Sequence, residues 1–278
     1  PNIITEYDIA VAYAGPMELI TYFILNKIKA KKKIQWIHFD VDKCGVTKKS
    51  TINNYRKFDK IFVVSEEGKN KFVNMMPELE ENTEVFLNII SPKLILKQSE
   101  IGEGFNDIYD GLRILTVGRL SNVKGQDLCI KALKKLRDEG YDVRWYCVGD
   151  GIYRKKYEKL VYDNNLVEDF IFLGSKTNPY SFMKQCDIYV QPSLHEGYCI
   201  TLAEAKCFGK PIVTTNFTGA KEQIINRETG IIVECNSNEL YQAIKEVIDN
   251  SELRKKISRN VINTLSDTSN EINKFLEL

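Results

Sequence analysis

The sequence is poor in histidine and tryptophan, with two of each in 278 residues. It has no C-x-x-C pair, and no spacing of its seven cysteines fits a zinc site. Several of those cysteines sit inside apolar stretches such as Trp145-Tyr146-Cys147-Val148 and read as small buried hydrophobes in a reducing compartment. Neither sign of charge prevails. With 39 Lys and Arg against 38 Asp and Glu the net charge is +1, so no whole-chain basic field argues for nucleic acid. No apolar run is long enough to span a bilayer. No repeat of solenoid period is visible. No signal peptide pattern stands at the start. The first residue is Pro1 rather than Met, so the reading expects a chain that begins inside a larger protein.

What is present has the balance of a globular protein of about two domains, with 43% hydrophobic and 28% charged residues. In the second half, short apolar runs bounded by glycine or turn residues lie at Arg113–Val117, Val143–Val148, Phe170–Leu173, Ile188–Val190, Pro211–Thr214 and Ile231–Val233. They read as buried strands of a parallel sheet. Stretches of helical spacing separate them, as in Gln126–Glu139, where Leu128, Ala132, Leu133 and Leu136 share a face. Strand and helix in alternation predict a doubly wound α/β domain.

The first half repeats the pattern with fewer units. Strands are expected at Asp8–Tyr13, Ile34–Ile37, Lys60–Val64 and Glu84–Leu87, a helix at Met17–Ala30, and a second helix from Glu66 capped by Ser65. Gln98–Gly111 reads as the linker and Asn270–Leu278 as a terminal helix. The basic run Lys27–Lys33 reads as a solvated helix C-terminus whose cations suit the dipole, or as a patch facing anionic lipid.

Three pieces of the second half carry chemistry together. Directly after the strand Arg113–Val117 comes Gly118-Arg119-Leu120-Ser121-Asn122-Val123-Lys124-Gly125. Ligands of open α/β sheets lie beyond the carboxyl ends of strands. Glycine there admits a close backbone approach, and an Arg fork with a Lys point charge suits a diphosphate. The second piece, Glu196 to Glu204, follows the strand Ile188–Val190 and the turn Gln191-Pro192-Ser193, with a helix expected over Thr201–Phe208. Helix starts favour phosphate. Glu196 in the loop could reach one sugar, and Glu204 inside the helix could accept from a ribose diol. The third piece is the pair of glycine turns Val148-Gly149-Asp150-Gly151 and Phe172-Leu173-Gly174, placed to frame a nucleobase. A nicotinamide oxidoreductase would need Gly-x-Gly-x-x-Gly after its first strand, and Val117-Gly118-Arg119-Leu120 does not supply it. A sugar-nucleotide epimerase of the same fold is the other rival.

In this order, G-R-L-x-x-x-K-G, G-D-G, F-L-G and P-S-L-x-E-G-x-x-x-T-L-x-E-A, continued by Gly209–Thr215, Gly219 and Glu222, resemble the C-terminal domain of retaining glycosyltransferases of family four. The resemblance covers nearly all of Ile108–Asn250. The first half resembles the family more loosely, through Trp36-Ile37-His38-Phe39-Asp40, Phe58–Ser65 and Asn88-Ile89-Ile90. It implies the GT-B fold: two doubly wound Rossmann-like domains facing across a cleft, the N-terminal one incomplete because the family's opening strand and glycine-rich loop are not found. Residues 1–105 would form that partial domain, 106–260 the nucleotide-sugar domain, and 261–278 a helix packing back on the N-terminal domain.

The resemblance also assigns roles. Arg119 and Lys124 would bind the donor diphosphate, with Gly118, Gly149 and Gly174 close to the donor. Backbone groups of Gly197, Tyr198, Cys199, Ile200 and Thr201 would contact sugar and phosphate. Glu196 would lie near the anomeric centre, His38 would face the sugar, and Glu204 would hold the ribose. Cys199 departs from the glycine or proline of many members, and His195 reads as structural. The implied reaction moves a sugar from a nucleotide diphosphate sugar, UDP by default, to a saccharide or lipid-linked hydroxyl, with retention. No cofactor and no metal are expected, since no obvious Asp-x-Asp metal loop appears. The expected place is cytoplasmic, with peripheral contact at the inner face of a membrane. The alternative function is a nucleotide-sugar-binding module, inactive without a missing N-terminal part or a partner chain.

Overall fold

A computed structural model describes residues 5–15, 18–45 and 47–278. Contacts divide them into two units. One runs to Ile89 and adds His195–Tyr198 and Thr268–Leu278; the other is Ile90–Leu194 with Cys199–Asp267.

The N-terminal unit alternates β1 (Glu6–Gly15), α1 (Glu18–Lys27), β2 (Lys29–Ile37), α2 (Lys48–Tyr55), β3 (Lys60–Val63), α3 (Glu66–Met75) and β4 (Thr83–Val85). Among the described residues its strands form a four-stranded parallel sheet in the order β1-β2-β3-β4. One face buries Ala12, Ile37, Ile61 and Val63 against Tyr55, Phe58 and Phe72 from the helical side. Ser65 caps α3 as its position suggests, accepting from Gly68 N at 3.1 Å.

The basic run is a correction. The helix over Met17–Ala30 ends at Lys27, and Lys29–Lys33 extends β2 along β1, with Glu6 opposite Lys29 and Ala10 opposite Lys33. Met17 itself lies outside the described residues. A helix through the run would have no apolar face to bury. As a strand it places Lys31 2.7 Å from Asp8 and lets Lys33 Nζ donate to Leu25 O in the last turn of α1. The cation that suits the helix dipole therefore reaches it from the neighbouring strand.

The C-terminal unit runs α4 (Pro92–Ser99), β5 (Leu112–Val117), α5 (Gln126–Asp138), β6 (Val143–Val148), α6 (Arg154–Asp163), β7 (Phe170–Gly174), α7 (Tyr180–Gln185), β8 (Ile188–Gln191), α8 (Ile200–Lys206), β9 (Ile212–Thr215), α9 (Ala220–Gln223), β10 (Ile231–Val233), α10 (Ser237–Asp249) and α11 (Ser251–Asn263). Its parallel sheet has the order β10-β9-β8-β5-β6-β7, so the winding reverses between β5 and β8. Alternate residues serve opposite faces. Ile114, Trp145 and Val190 pack with Leu133, Leu136 and Ile244 on one side, while Leu115, Tyr146 and Tyr189 pack with Phe182 and Leu202 on the other. Trp145 is fully buried, worth about 3 kcal/mol by area, and its Nε1 donates to Thr116 Oγ1 at 3.1 Å.

Gln98–Gly111 is less of a linker than its composition suggests, for Gln98 and Ser99 close α4. Asp107 then takes Arg113 and Arg144 as ion-pair partners and accepts from the Tyr146 hydroxyl, fastening the segment to β5 and β6. α11 runs on through residues 260 and 261. The terminal helix is shorter than Asn270–Leu278: a 3-10 turn at Ser269–Glu271 leads into α12 (Ile272–Leu276). Within the N-terminal unit Phe275 and Leu278 pack on the second sheet face with Ile34, Phe62 and Phe86, and Lys274 Nζ donates to Val85 O. Five cysteines are buried, at 129, 147, 186, 199 and 207, whereas Cys44 and Cys235 are exposed.

Candidate functional site

The C-terminal unit gathers its share of the expected residues at the carboxyl ends of β5 to β8, where the strand order reverses and α/β sheets hold ligands. Three glycines interlock the loops there. A Cβ on Gly149, at φ +138°, would lie 2.0 Å from Gly118 O. One on Gly151 would lie 2.4 Å from Leu120 O, and one on Gly125, at φ +67°, 2.1 Å from Pro192 O. The loops after β5, β6 and β8 therefore touch backbone to backbone. Gly118 N donates to Val148 O, Gly149 N to Gly174 O, and Leu194 N to Val123 O. Gly174 is different: its φ is +71°, but nothing would crowd a Cβ.

On this platform the Lys124 side chain crosses Gly118, its Cδ 3.7 Å from where a Cβ would stand. Arg119 is exposed, and among the described residues its guanidinium has no ion-pair partner. Its carbonyl accepts from Gln126 Nε2, which fixes the backbone at the start of α5.

The helix α8 starts at Ile200, one residue before the expected Thr201, and ends at Lys206 rather than Phe208. Cys199 is its cap, at φ +70° and ψ 82°, a region that L-residues seldom adopt. That is the position at which the resemblance leads one to expect glycine or proline; glycine would take this conformation and proline would not. The Thr201 hydroxyl is turned inward, onto Gln191 Oε1 at 3.1 Å. Ile200 is exposed.

Glu204 accepts from the Tyr180 hydroxyl at 2.7 Å. Burial raises the Glu204 carboxyl above the ordinary range, and the Tyr180 hydrogen bond opposes that rise. The fold thus holds this proton more tightly than the unfolded chain, and stability declines as pH rises between the two values. If Glu204 accepts from a ribose diol as the resemblance implies, that needs the carboxylate, and nucleotide affinity is expected to fall as pH drops through the window above the ordinary glutamate value. Tyr180→Phe removes the opposing bond and should move that acid limb to higher pH, read as UDP affinity against pH. An acid limb that stays in place would detach Glu204 from the nucleotide.

His38, Glu196, Gly197 and Tyr198 belong to the N-terminal unit. Gly197 is buried, a Cβ on it would stand 2.1 Å from His38 O, and its own carbonyl accepts from Ser65 Oγ at 3.0 Å. Glu196 and Tyr198 are half-buried and His195 is exposed. The His38 ring packs 4.3 Å from Tyr13 and is stacked 5.8 Å from Trp36. Its Nε2 is buried without a hydrogen-bond partner. Burial pushes its pKa down from 6.5 to about 4, so the imidazole is neutral at neutral pH. A satisfied core histidine would show a partner on that nitrogen.

One Asp-x-Asp does stand in the chain, Asp40-Val41-Asp42, which corrects the expectation that none is present. Asp40 is buried; one oxygen accepts from Asp42 N and the other pairs with Lys71 Nζ at 3.0 Å. Among the described residues no group of three or more His, Cys, Asp or Glu side chains comes together as metal ligands.

The model of the family described as "Glycosyl transferases group 1" matches residues 105–264. The chain belongs to the glycosyl transferases group 1 family. It is 31% identical over 205 residues to the uncharacterised glycosyltransferase MJ1178 of Methanocaldococcus jannaschii, covering 73% of this chain and 53% of that one. It is 32% identical over 144 residues, 51% of this chain and 39% of the relative, to a Campylobacter jejuni enzyme. That relative is named N-acetylgalactosamine-N,N'-diacetylbacillosaminyl-diphospho-undecaprenol 4-alpha-N-acetylgalactosaminyltransferase. The chain spans about half the length of the curated relatives it matches. Among solved structures, Anabaena Alr3699/HepE in complex with UDP-glucose has a TM-score of 0.82 at 20% identity, covering 97% of this chain and 78% of that one. S. aureus TarM has 0.75 at 20%, covering 98% and 54%. At such identities the likeness bears on the fold, an α/β chain with two parallel sheets of the GT-B kind.

Three of the side chains that shape these loops belong to no quoted motif: Tyr180 on Glu204, Tyr13 beside His38 and Gln191 beneath Thr201; Ser65, expected as a helix cap, also donates to Gly197 O.

Proposed function

We propose that this group 1 glycosyltransferase chain moves a glycosyl unit from a nucleotide diphosphate sugar, UDP-linked by default, to an acceptor hydroxyl with retention, in polysaccharide or glycolipid synthesis. The observation that carries the reading is the convergence, at the reversal of strand order in the C-terminal unit, of Gly118, Arg119 and Lys124 after β5 with the start of α8 after β8. Arg119 and Lys124 neutralise the diphosphate as charge develops on it, with no metal assigned to the step. The bond from the anomeric carbon to the diphosphate oxygen breaks and a bond to the acceptor oxygen forms. The acceptor proton leaves on the departing diphosphate, a route that asks neither Glu196 nor His38 to be a nucleophile. Glu196 contacts the transferred sugar. His38, with a buried unpaired Nε2, hydrogen-bonds one of its hydroxyls. Glu204 holds the ribose.

The setting rests on relatives: CapM of Staphylococcus aureus is named a capsular polysaccharide biosynthesis glycosyltransferase, and WclY of Escherichia coli an O-antigen biosynthesis glycosyltransferase. Among the described residues no helix is long and apolar enough to cross a membrane. We place the protein in the cytoplasm with peripheral contact through exposed Lys29, Lys31 and Lys32 and the exposed Leu19, Tyr22 and Phe23 of α1. Binding to anionic vesicles that is lost in high salt is the expected result; equal binding to neutral vesicles would remove this contact.

A thermal-shift screen of UDP-, GDP- and ADP-sugars tests the donor. Stabilisation by one nucleotide class is expected, and no response to any of them sinks the reading. Because the chain spans about half the length of its relatives, a second reading has an observation behind it: a nucleotide-sugar-binding module. Binding without transfer to any acceptor selects it.

A further inference from the structure

Beneath the loop that follows β8 lies a polar cluster centred on Gln191, a side chain outside the quoted motifs. Tyr189, Gln191, Ser193, Thr214 and Thr215 are almost completely buried, each at 0% exposure. Gln191 is the hub. Its Oε1 accepts from the Tyr189 hydroxyl at 2.8 Å and the Thr201 hydroxyl at 3.1 Å, and its Nε2 donates to Ser193 Oγ at 2.8 Å. Its backbone carbonyl accepts from Thr214 Oγ1 at 3.0 Å. Thr215 Oγ1 donates to Ser193 O.

Such a cluster is costly unless every member is paired, and a fully paired one specifies a single arrangement. The side chain of Gln191 joins two points of the backbone: Ser193, just past the strand end, and Thr201, in the first turn of α8. The intervening residues include Glu196 and the left-handed Cys199. A cap at φ +70° gains nothing from its own backbone preference, so something else must hold the first turn in place. The Thr201–Gln191 bond ties that turn to strand β8, and Thr201 Oγ1 also lies 3.4 Å from Cys199 Sγ.

We infer that Gln191 is a positioning residue for nucleotide binding, setting the first turn of α8 through Thr201 without touching the ligand. The inference rests on the donor reading above and assigns this role to a side chain outside its motifs.

Titrating the full chain with UDP by calorimetry tests it, or with GDP or ADP if the thermal-shift screen selects one of them. Thr201→Val cuts the tie at the helix and is expected to raise Kd about tenfold, the scale of a small misplacement. Thr214→Val removes an equally buried bond to the same residue's carbonyl but not the tie, and is expected to leave Kd unchanged. Gln191→Glu gives a signature that a merely structural residue would not. Protonated, its carboxyl can make the same three bonds; ionised, it cannot donate to Ser193 and is a buried charge. Its Kd relative to wild type at the same pH is expected near one at pH 5 and about tenfold worse at pH 8. Unchanged affinity in Thr201→Val, an equal loss in Thr214→Val, or a pH-independent ratio for Gln191→Glu overturns the inference while nucleotide binding by the wild type still stands. A wild-type chain that binds none of the three diphosphates overturns the donor reading first, and this inference with it.

Discussion

Gly149→Ala is expected to destabilise the C-terminal unit by about 4 kcal/mol, whereas Gly174→Ala should cost only about 1–2 kcal/mol. Both glycines have positive φ and lie at carboxyl ends in the same sheet, Gly149 directly after β6 and Gly174 as the last residue of β7. The difference is what surrounds them. A methyl on Gly149 meets a backbone carbonyl, Gly118 O, at 2.0 Å. No side chain can swing aside, so the loop after β5 must move. At Gly174 the space is open and only the backbone conformation is penalised. Urea unfolding of the two variants measures the contrast. Because Gly149 presses on Gly118, the first variant should also lose nucleotide affinity while the second keeps most of it. Equal costs at the two sites would mean that the backbone contact between Gly118 and Gly149 does not exist in solution.

Arg119→Ala is expected to weaken binding of the donor nucleotide by about 2 kcal/mol, roughly thirtyfold in Kd, with no change in melting temperature. Arg119 is exposed and none of its side-chain hydrogen bonds would be lost, so the fold should not register its removal. A diphosphate would lose a two-pronged, charge-assisted contact. Arg119→Lys keeps the charge without the fork and should fall between the two. Lys124→Ala is a less clean probe, because its side chain also covers Gly118. Wild-type affinity in Arg119→Ala, measured by calorimetry with UDP, would remove this residue from the diphosphate site.

Much of the C-terminal sheet is legible in the sequence. Val143–Val148 and Ile231–Val233 are strands over the very residues that their apolar runs mark, because apolar side chains on both faces of each strand leave little polar alternation to blur its ends. α6 is illegible for the opposite reason: Arg154–Asp163 buries only Tyr157 and Val161, too few contacts to impose a period. The strand Lys29–Lys33 misleads because pairing and one ion pair decide it, and neither depends on a hydrophobic pattern. In the site, the glycines are visible as motif letters, but the reason for three of them is a carbonyl contributed by a distant loop. Gln191 carries no signal at all. A glutamine at the end of a strand is ordinary until the fold brings Thr201 and Ser193 to it.

The burial of five cysteines leaves a practical opening. Burial raises the thiols of Cys129, Cys147, Cys186 and Cys207 well away from thiolate formation at neutral pH, and Cys199 is equally enclosed. Cys44 and Cys235 alone are exposed, the first in the N-terminal unit and the second in the C-terminal unit. A maleimide dye pair added to the unaltered protein would therefore put one fluorophore on each unit. Energy transfer between them would follow any movement of one unit against the other as donor is added, with no mutation introduced.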